Sequence, residues 1–284
     1  MKLIKPSAQI IEPTGYAIDD IYKSIELAGR VSHRSEDKIT ETSAKIFVDR
    51  MINMNHLATC EFGTVYLKIP AGKYQFLDND YFDECDNIKD SFYSNPYTKI
   101  HCQEGYHYIS TNYRVLLENF SKEFISELLQ YLCEPTEYHH KRYTVKYICD
   151  RAIANEIVRH RKFSFLQESS RYCLYSSNKF NNELTFIKPC WLNEVSHNEQ
   201  AEFINSLIHA ENTYINLTKK GWKAEQARNI LPLSLKTELY MCGFAEDWKK
   251  FFELRDDKQH VHPQAYELAH PLHEEFIKRG YINE

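Results

Sequence analysis

The sequence is poor in residues that interrupt folded structure, with 8 glycines and 9 prolines among 284 residues, so long flexible linkers are not expected. It also lacks a basic excess. Its net charge of −5 argues against a chain that coats nucleic acid or an anionic membrane, and any basic site must be local. The cysteines, Cys60, Cys85, Cys102, Cys133, Cys149, Cys173, Cys190 and Cys242, include no C-x-x-C pair. Zinc-site and disulfide-framework spacings are therefore absent, and free thiols in a reducing cytoplasm are expected. No apolar run approaches the ~18 residues of a membrane span, and Met1–Pro6 has no apolar signal region. A cytoplasmic protein without a membrane partner follows as the expectation.

What is present is ordinary for a globular chain: 43% apolar and 26% charged residues, enough to enclose a substantial core. Ala8–Ile11 reads as a short strand. Residues 18–30 and 42–53 read as amphipathic helices, with Ile21, Ile25, Ile46 and Met51 on their apolar faces. Thr64–Ile69 alternates and is rich in β-formers; 71–100 is aromatic, acidic and aperiodic, as a surface excursion would be. Strands are expected at 106–113 and 143–148. Ser121 is placed to cap a helix carrying Phe124, Leu128, Leu129 and Leu132, and another helix should run from Arg151 to His160. The clearest helix covers 198–220, with Phe203, Leu207, Ala210, Tyr214 and Leu217 in one stripe and Gly221 as its stop. A last helix spans 263–278, with Pro271 expected to bend it. No βαβ rhythm appears, so the expected class is α+β: a single mixed domain over 1–284 with a central, largely antiparallel sheet packed by helices.

The feature that carries chemistry is basic. Arg159-His160-Arg161 is followed, after seven residues, by Ser169-Ser170-Arg171, and the stretch between, with Ser164 and Gln167, reads as a polar turn. Guanidinium forks match phosphate oxygens bidentately, and serine hydroxyls add neutral donors that orient such a ligand. A pocket for one or two phosphorylated ligands is the functional reading. A solvated helix end pairing with the negative pole of the helix is the bland one.

The string RHRKFSFLQESSRY resembles the R-H-R-x7-S signature of flavin-dependent thymidylate synthases. The resemblance extends to Arg30-Val31-Ser32, to Asn55-His56-Leu57-Ala58-Thr59-Cys60-Glu61, to Ala227-Arg228-Asn229-Ile230-Leu231-Pro232, and to Trp248 through Arg255, in the family's order. It covers roughly 15–70 and 143–275, leaving about 71–142 as an insertion.

The resemblance implies conversion of dUMP to dTMP, with 5,10-methylenetetrahydrofolate as one-carbon donor, FAD as cofactor and NADPH as reductant, in a homotetramer with shared active sites. It places Glu156, Arg159, Gln167, Ser169, Ser170, Arg171, Arg228 and Arg255 around dUMP. It places His56, Ala58, Arg159, His160, Arg161, Gln167 and Lys250 around FAD. Arg255 and Ser169 become the catalytic pair, Arg255 stabilising negative charge on the uracil ring. Phe244-Ala245-Glu246 departs from the family's N-x-R, Leu166 from a usual polar residue, and Ala58 from Ser or Thr.

Two other readings stay open: a nucleic-acid-binding module using the arginines with Tyr172 and Tyr175 as stacking platforms, and a divergent flavin- or nucleotide-binding protein without synthase activity. A cysteine-dependent methylase through Cys190 lacks an activating neighbour, so a buried structural cysteine is expected there. His260, His262, His270 and His273 read as surface or interface residues, with no metal expected.

Overall fold

The computed structural model describes residues 1–74, 77, 92 and 95–283. Most of the excursion expected over 71–100, and Cys85 with it, lies outside the described residues. In chain order the strands are β1 (Lys2–Ile4), β2 (Ser7–Ile11), β3 (Thr64–Pro70), β4 (Lys99–Gln103), β5 (Tyr106–Asn112), β6 (Arg142–Asp150), β7 (Ser164–Gln167), β8 (Thr185–Ile187) and β9 (Lys236–Phe244). The helices are α1 (Ile18–Gly29), α2 (Ser43–Asn53), α3 (Tyr113–Asn119), α4 (Lys122–Leu128), α5 (Arg151–Ile157), α6 (His197–Lys219), α7 (Ala224–Ala227), α8 (Ala245–Arg255) and α9 (Pro263–Lys278). Mixed helices and antiparallel sheets bear out the α+β class. None of the described helices is long and apolar enough to cross a membrane.

The sheet that positions the candidate site runs β2-β6-β9-β7 and is antiparallel throughout. One face carries Val145, Tyr147, Leu239 and Met241 into a core with Trp248, Phe252, Leu272 and Phe276 of α8 and α9. Each large apolar side chain so enclosed contributes about 1.5–3 kcal/mol. The other face presents Tyr240 and Cys242 to Ala28, Val31 and Phe62. β9 is buried along its whole length, because sheet neighbours flank it and helices cover both faces. A second antiparallel sheet, β3-β5-β4, packs on α1 to α4, and β1 pairs with β8 in parallel beside α6.

Local chemistry explains several boundaries. Asp150 caps α5 by accepting from the Ile153 amide at 2.8 Å, and its other oxygen accepts from Gln264 of α9 at 2.8 Å. One carboxylate thereby fixes the site helix to the C-terminal helix. Ser121 caps α4 by accepting from the Phe124 amide, and Ser196 and Glu199 form a capping box on α6. Gly221 follows α6 at φ +95°, a conformation that glycine adopts without a Cβ penalty. At Gly243 a Cβ would meet the Phe163 ring at 2.4 Å, so glycine lets β9 receive the residue that leads into β7.

Four expectations need correction. Ile46 is 70% exposed; α2 turns Ala44 and Val48 inward instead, since one helical face satisfies either pattern. α5 ends at Ile157 rather than His160, which leaves Arg159-His160-Arg161 in a turn. The stretch read as a polar turn contains a strand, β7, over Ser164–Gln167. Cys190 is exposed, not buried.

Candidate functional site

The site assembles where α5, β7 and α8 meet. α8 follows β9 directly and returns along the 156–162 segment. Lys162 Nζ lies 3.9 Å from Asp247 near the start of α8, the His160 ring packs edge-on against Phe251 at 4.9 Å, and Arg255 closes the far end. Arg255 Nη1 donates to Glu156 Oε2 at 2.9 Å, Nη2 to the Glu156 carbonyl at 3.4 Å, and Nε to His160 Nε2 at 3.0 Å. The candidate residues Glu156, His160 and Arg255, far apart in sequence, are thus brought together. Arg255 does not pair with Asp256, which instead accepts from His270 and His273 at 2.9 and 2.7 Å.

Burial, then the neighbouring Arg255 cation, brings the His160 pKa down to about 4. The imidazole is therefore neutral near pH 7. Its Nε2 accepts from Arg255, which leaves the proton on Nδ1.

Around this seam Arg159, Arg161 and Lys250 are exposed, and their side chains have no partner among the described residues. Exposed, unpaired cations adjacent in the chain to the neutral His160 and to its packing partner Phe251 suit an anionic ligand such as a nucleotide phosphate. This donor set fits a phosphate-bearing flavin.

A second neighbourhood holds the serines. The Ser169 amide donates to the Ser32 carbonyl at 3.1 Å, and His33 stacks on Tyr172 at 4.4 Å, so the Arg30-Val31-Ser32 segment abuts Ser169–Tyr172. Ser170 is buried. Arg171 Nε donates to Glu225 of α7 at 3.1 Å. Arg228, in the turn after α7, is exposed with no side-chain partner among the described residues. Gln167 Nε2 donates to Thr237 Oγ1 at 3.2 Å. His56 and Ala58 are exposed at the entry to a 3-10 turn, Leu57–Phe62, that packs against β7.

Between the two neighbourhoods lies a buried ionic knot that sequence reasoning missed. Glu168, with a side chain 0% exposed, accepts from Lys236 at 2.9 Å, Arg34 at 3.2 Å and the Tyr175 hydroxyl at 2.8 Å. Glu238 takes Lys236 at 2.6 Å, Arg34 at 2.7 Å and Lys146 at 2.7 Å. Burial pushes the Glu238 carboxyl up, but Lys236, Lys146 and Arg34 outweigh it and hold the group at about 2. Glu168 stands inside the signature string, and Lys236 and Glu238 share one face of β9; that i, i+2 spacing is the only signal the sequence carried.

Where the family pattern departs, the structure supplies partners. Phe244 is buried, with Arg142 over its ring at 5.5 Å. Glu246 is held by Lys99 of β4 and by His140, so its carboxylate is already engaged. The exposed Cys190 thiol is raised by partial desolvation and then by nearby Glu267, which disfavours the thiolate a nucleophile needs. The seven described cysteines, Cys60, Cys102, Cys133, Cys149, Cys173, Cys190 and Cys242, are free thiols.

Comparison with known proteins shows the family. The model of the thymidylate synthase complementing protein family (Thy1) matches residues 97–279, more than half of the chain. The chain belongs to that family. Thy1 relatives include a probable flavin-dependent thymidylate synthase of Paramecium bursaria Chlorella virus 1, 30% identical over 147 residues, covering 48% of this chain and 66% of the viral protein. The flavin-dependent thymidylate synthase of Synechocystis is 30% identical over 142 residues, with 48% and 66% covered. That of Pyrococcus abyssi is 28% identical over 131 residues, with 46% and 52% covered. The chain thus spans just under two thirds or less of the length of these relatives.

Proposed function

We propose that this Thy1 chain is a flavin-dependent thymidylate synthase, which converts dUMP to dTMP. The methylene unit of 5,10-methylenetetrahydrofolate replaces the hydrogen on uracil C5, and two electrons from NADPH reduce it to a methyl group. The observation that carries the reading is the convergence of Arg255, His160 and Glu156 beside the unpaired Arg159, Arg161 and Lys250.

FAD, when bound, supplies the hydride chemistry. Arg159, Arg161 and Lys250 hold its phosphates in this reading, while His160 Nδ1–H, His56, the backbone at Ala58 and Gln167 orient it. Ser169, Ser170, Arg171 and Arg228 take the nucleotide phosphate and sugar of dUMP. Ser169 serves as the near hydroxyl at the reacting ring. Arg255 releases part of its hold on Glu156 to face the uracil, stabilising charge at O2 and N3 as C5 becomes nucleophilic. Glu156 keeps that guanidinium oriented before substrate arrives.

The two residue neighbourhoods are completed, in this proposal, across subunits of a homotetramer in the cytoplasm. Residues of about 71–142 form an insertion in a single catalytic domain, of which 97–142 falls inside the family match. Its β4 strand contacts α8 through Lys99 and Glu246.

Release of tritium from C5-labelled dUMP, in the presence of methylenetetrahydrofolate, FAD and NADPH, tests the proposal. Wild type releases label, and Arg255→Ala lowers the rate at least tenfold, as removal of one well-placed charge-stabilising donor does (roughly 10²–10³). No release by wild type overturns the proposal; equal rates remove Arg255 from its role.

A further inference from the structure

A second feature lies on the face of the four-stranded sheet that α1 covers, with none of the residues assigned above to dUMP or the flavin in its lining. There the loop after β2, α1, β3 and the start of β6 surround a cavity of about 120 Å³. Closed, dry protein cavities of ~150 Å³ admit a benzene ring; this space is smaller but open on one side, so a six-membered ring enters it with part of its edge left toward solvent. Leu27 and Phe62 supply apolar wall, and Tyr16 and Tyr240 supply rings that each carry a hydroxyl.

Thr14, Lys23 and Ser24 in the wall donate to Asp20, but three other polar groups there are short of acceptors. Arg142 is only 8% exposed. Its Nη1 and Nη2 donate to the main-chain carbonyls of Thr111 and Glu61 at 3.1 and 3.3 Å, and its Nε is buried without a partner. Among the described residues it has no ion pair. A buried guanidinium with no counter-charge is costly, and a ligand carboxylate would relieve that cost. The Tyr16 and Tyr240 hydroxyls also have no hydrogen-bond partner among the described residues. Burial pushes both phenols above their usual range, so both remain protonated donors. Lys141 adds an unpaired cation at the rim. Among the described lining residues the one carboxylate, Glu12, is engaged by Arg279 and Tyr281, and the neighbouring Asp20 is engaged by Thr14 and Lys23.

We propose that this cavity binds a small planar aromatic carboxylate, its ring between Leu27 and Phe62 and its carboxylate on Arg142, Tyr16 and Tyr240. None of the dUMP or flavin residues lines the cavity, so the inference stands apart from the synthase reading.

Isothermal titration of the full chain with benzoate, and with benzyl alcohol as the neutral counterpart, tests it. Benzoate gives saturable heat and raises Tm, while benzyl alcohol binds at least tenfold more weakly. Tyr240→Phe and Tyr16→Phe, which preserve ring packing, each weaken benzoate about fivefold, the value of one hydrogen bond. Arg142→Met abolishes binding; should that variant not fold, the two phenol variants still decide the matter. No saturable heat with wild type, equal affinity for acid and alcohol, or unchanged affinity in both phenol variants overturns the proposal.

Discussion

Two charged regions sit at opposite ends of β7 and are built on opposite principles. Before the strand, Arg159 and Arg161 face solvent without partners, with Lys250 across the seam on α8. After it, Glu168 and Glu238 lie in the protein with Lys236, Arg34 and Lys146 all placed against them. The first set has cations to spare; the second has none. A charge left unpaired in water costs little and stays available to a ligand, whereas a charge taken out of water must be matched within the fold. Four residues of strand therefore join a region suited to binding to a region suited to holding the Ser169–Arg171 turn in place.

The contrast breaks most visibly at Lys236. Lys236→Met removes the cation shared by both buried carboxylates and should cost about 3–5 kcal/mol, as loss of one partner from a buried pair does, read as a fall in the urea midpoint. A Lys236→Met/Glu238→Leu double variant should recover part of the loss, because one stranded carboxylate is gone. If Lys236→Met unfolds with the wild-type midpoint, the knot is not structural.

Acid tests the same region. Glu238 is held at about 2 in the fold, below its ordinary 4.5. Its contribution is therefore complete above about pH 4.5 and lost as pH falls toward 2, up to about 3 kcal/mol for a shift of that size. His160 works in a higher window. Lowered from 6.5 to about 4, it favours the fold fully above about pH 6.5 and gives up that contribution as pH falls through 4. Stability measured by denaturant from neutral to acid pH should fall in two stages, and His160→Gln should remove the upper one.

A smaller effect is expected at the seam between the regions. Gly243→Ala drives a methyl into the Phe163 ring and should cost about 1–3 kcal/mol by overpacking, with a lowered Tm as readout. An unchanged Tm would show that the turn carrying Arg161 yields freely.

How much of this was legible in the sequence follows the same division. The open set stood out because its residues are adjacent: Arg159-His160-Arg161 and Ser169-Ser170-Arg171 form one string. α6 was legible from its stripe and Gly221, because a surface helix writes a 3.6-residue period. β9 was not. Lys236-Thr237-Glu238 reads as polar surface, and the cations that make Glu238 tolerable in the interior come from Arg34 and Lys146, more than ninety residues away in the chain. Ile46 failed for the converse reason: periodicity says which residues share a face, not which face the fold covers. The approach of Arg255 to His160 and Glu156 was implied only by family likeness, since no local pattern joins the end of α8 to the turn after α5.

The smallest expected effect on stability belongs to the exposed cations. Arg159→Gln and Arg161→Gln should each shift the urea midpoint by the equivalent of no more than about 0.5 kcal/mol, and this is where the central claim is most directly exposed. The decisive measurement is a titration of the double variant Arg159→Gln/Arg161→Gln with FAD and dUMP beside its urea unfolding curve. The account predicts at least tenfold weaker binding of FAD with an almost unchanged midpoint. Wild-type affinity in the double variant, or a collapse of stability along with binding, would contradict it.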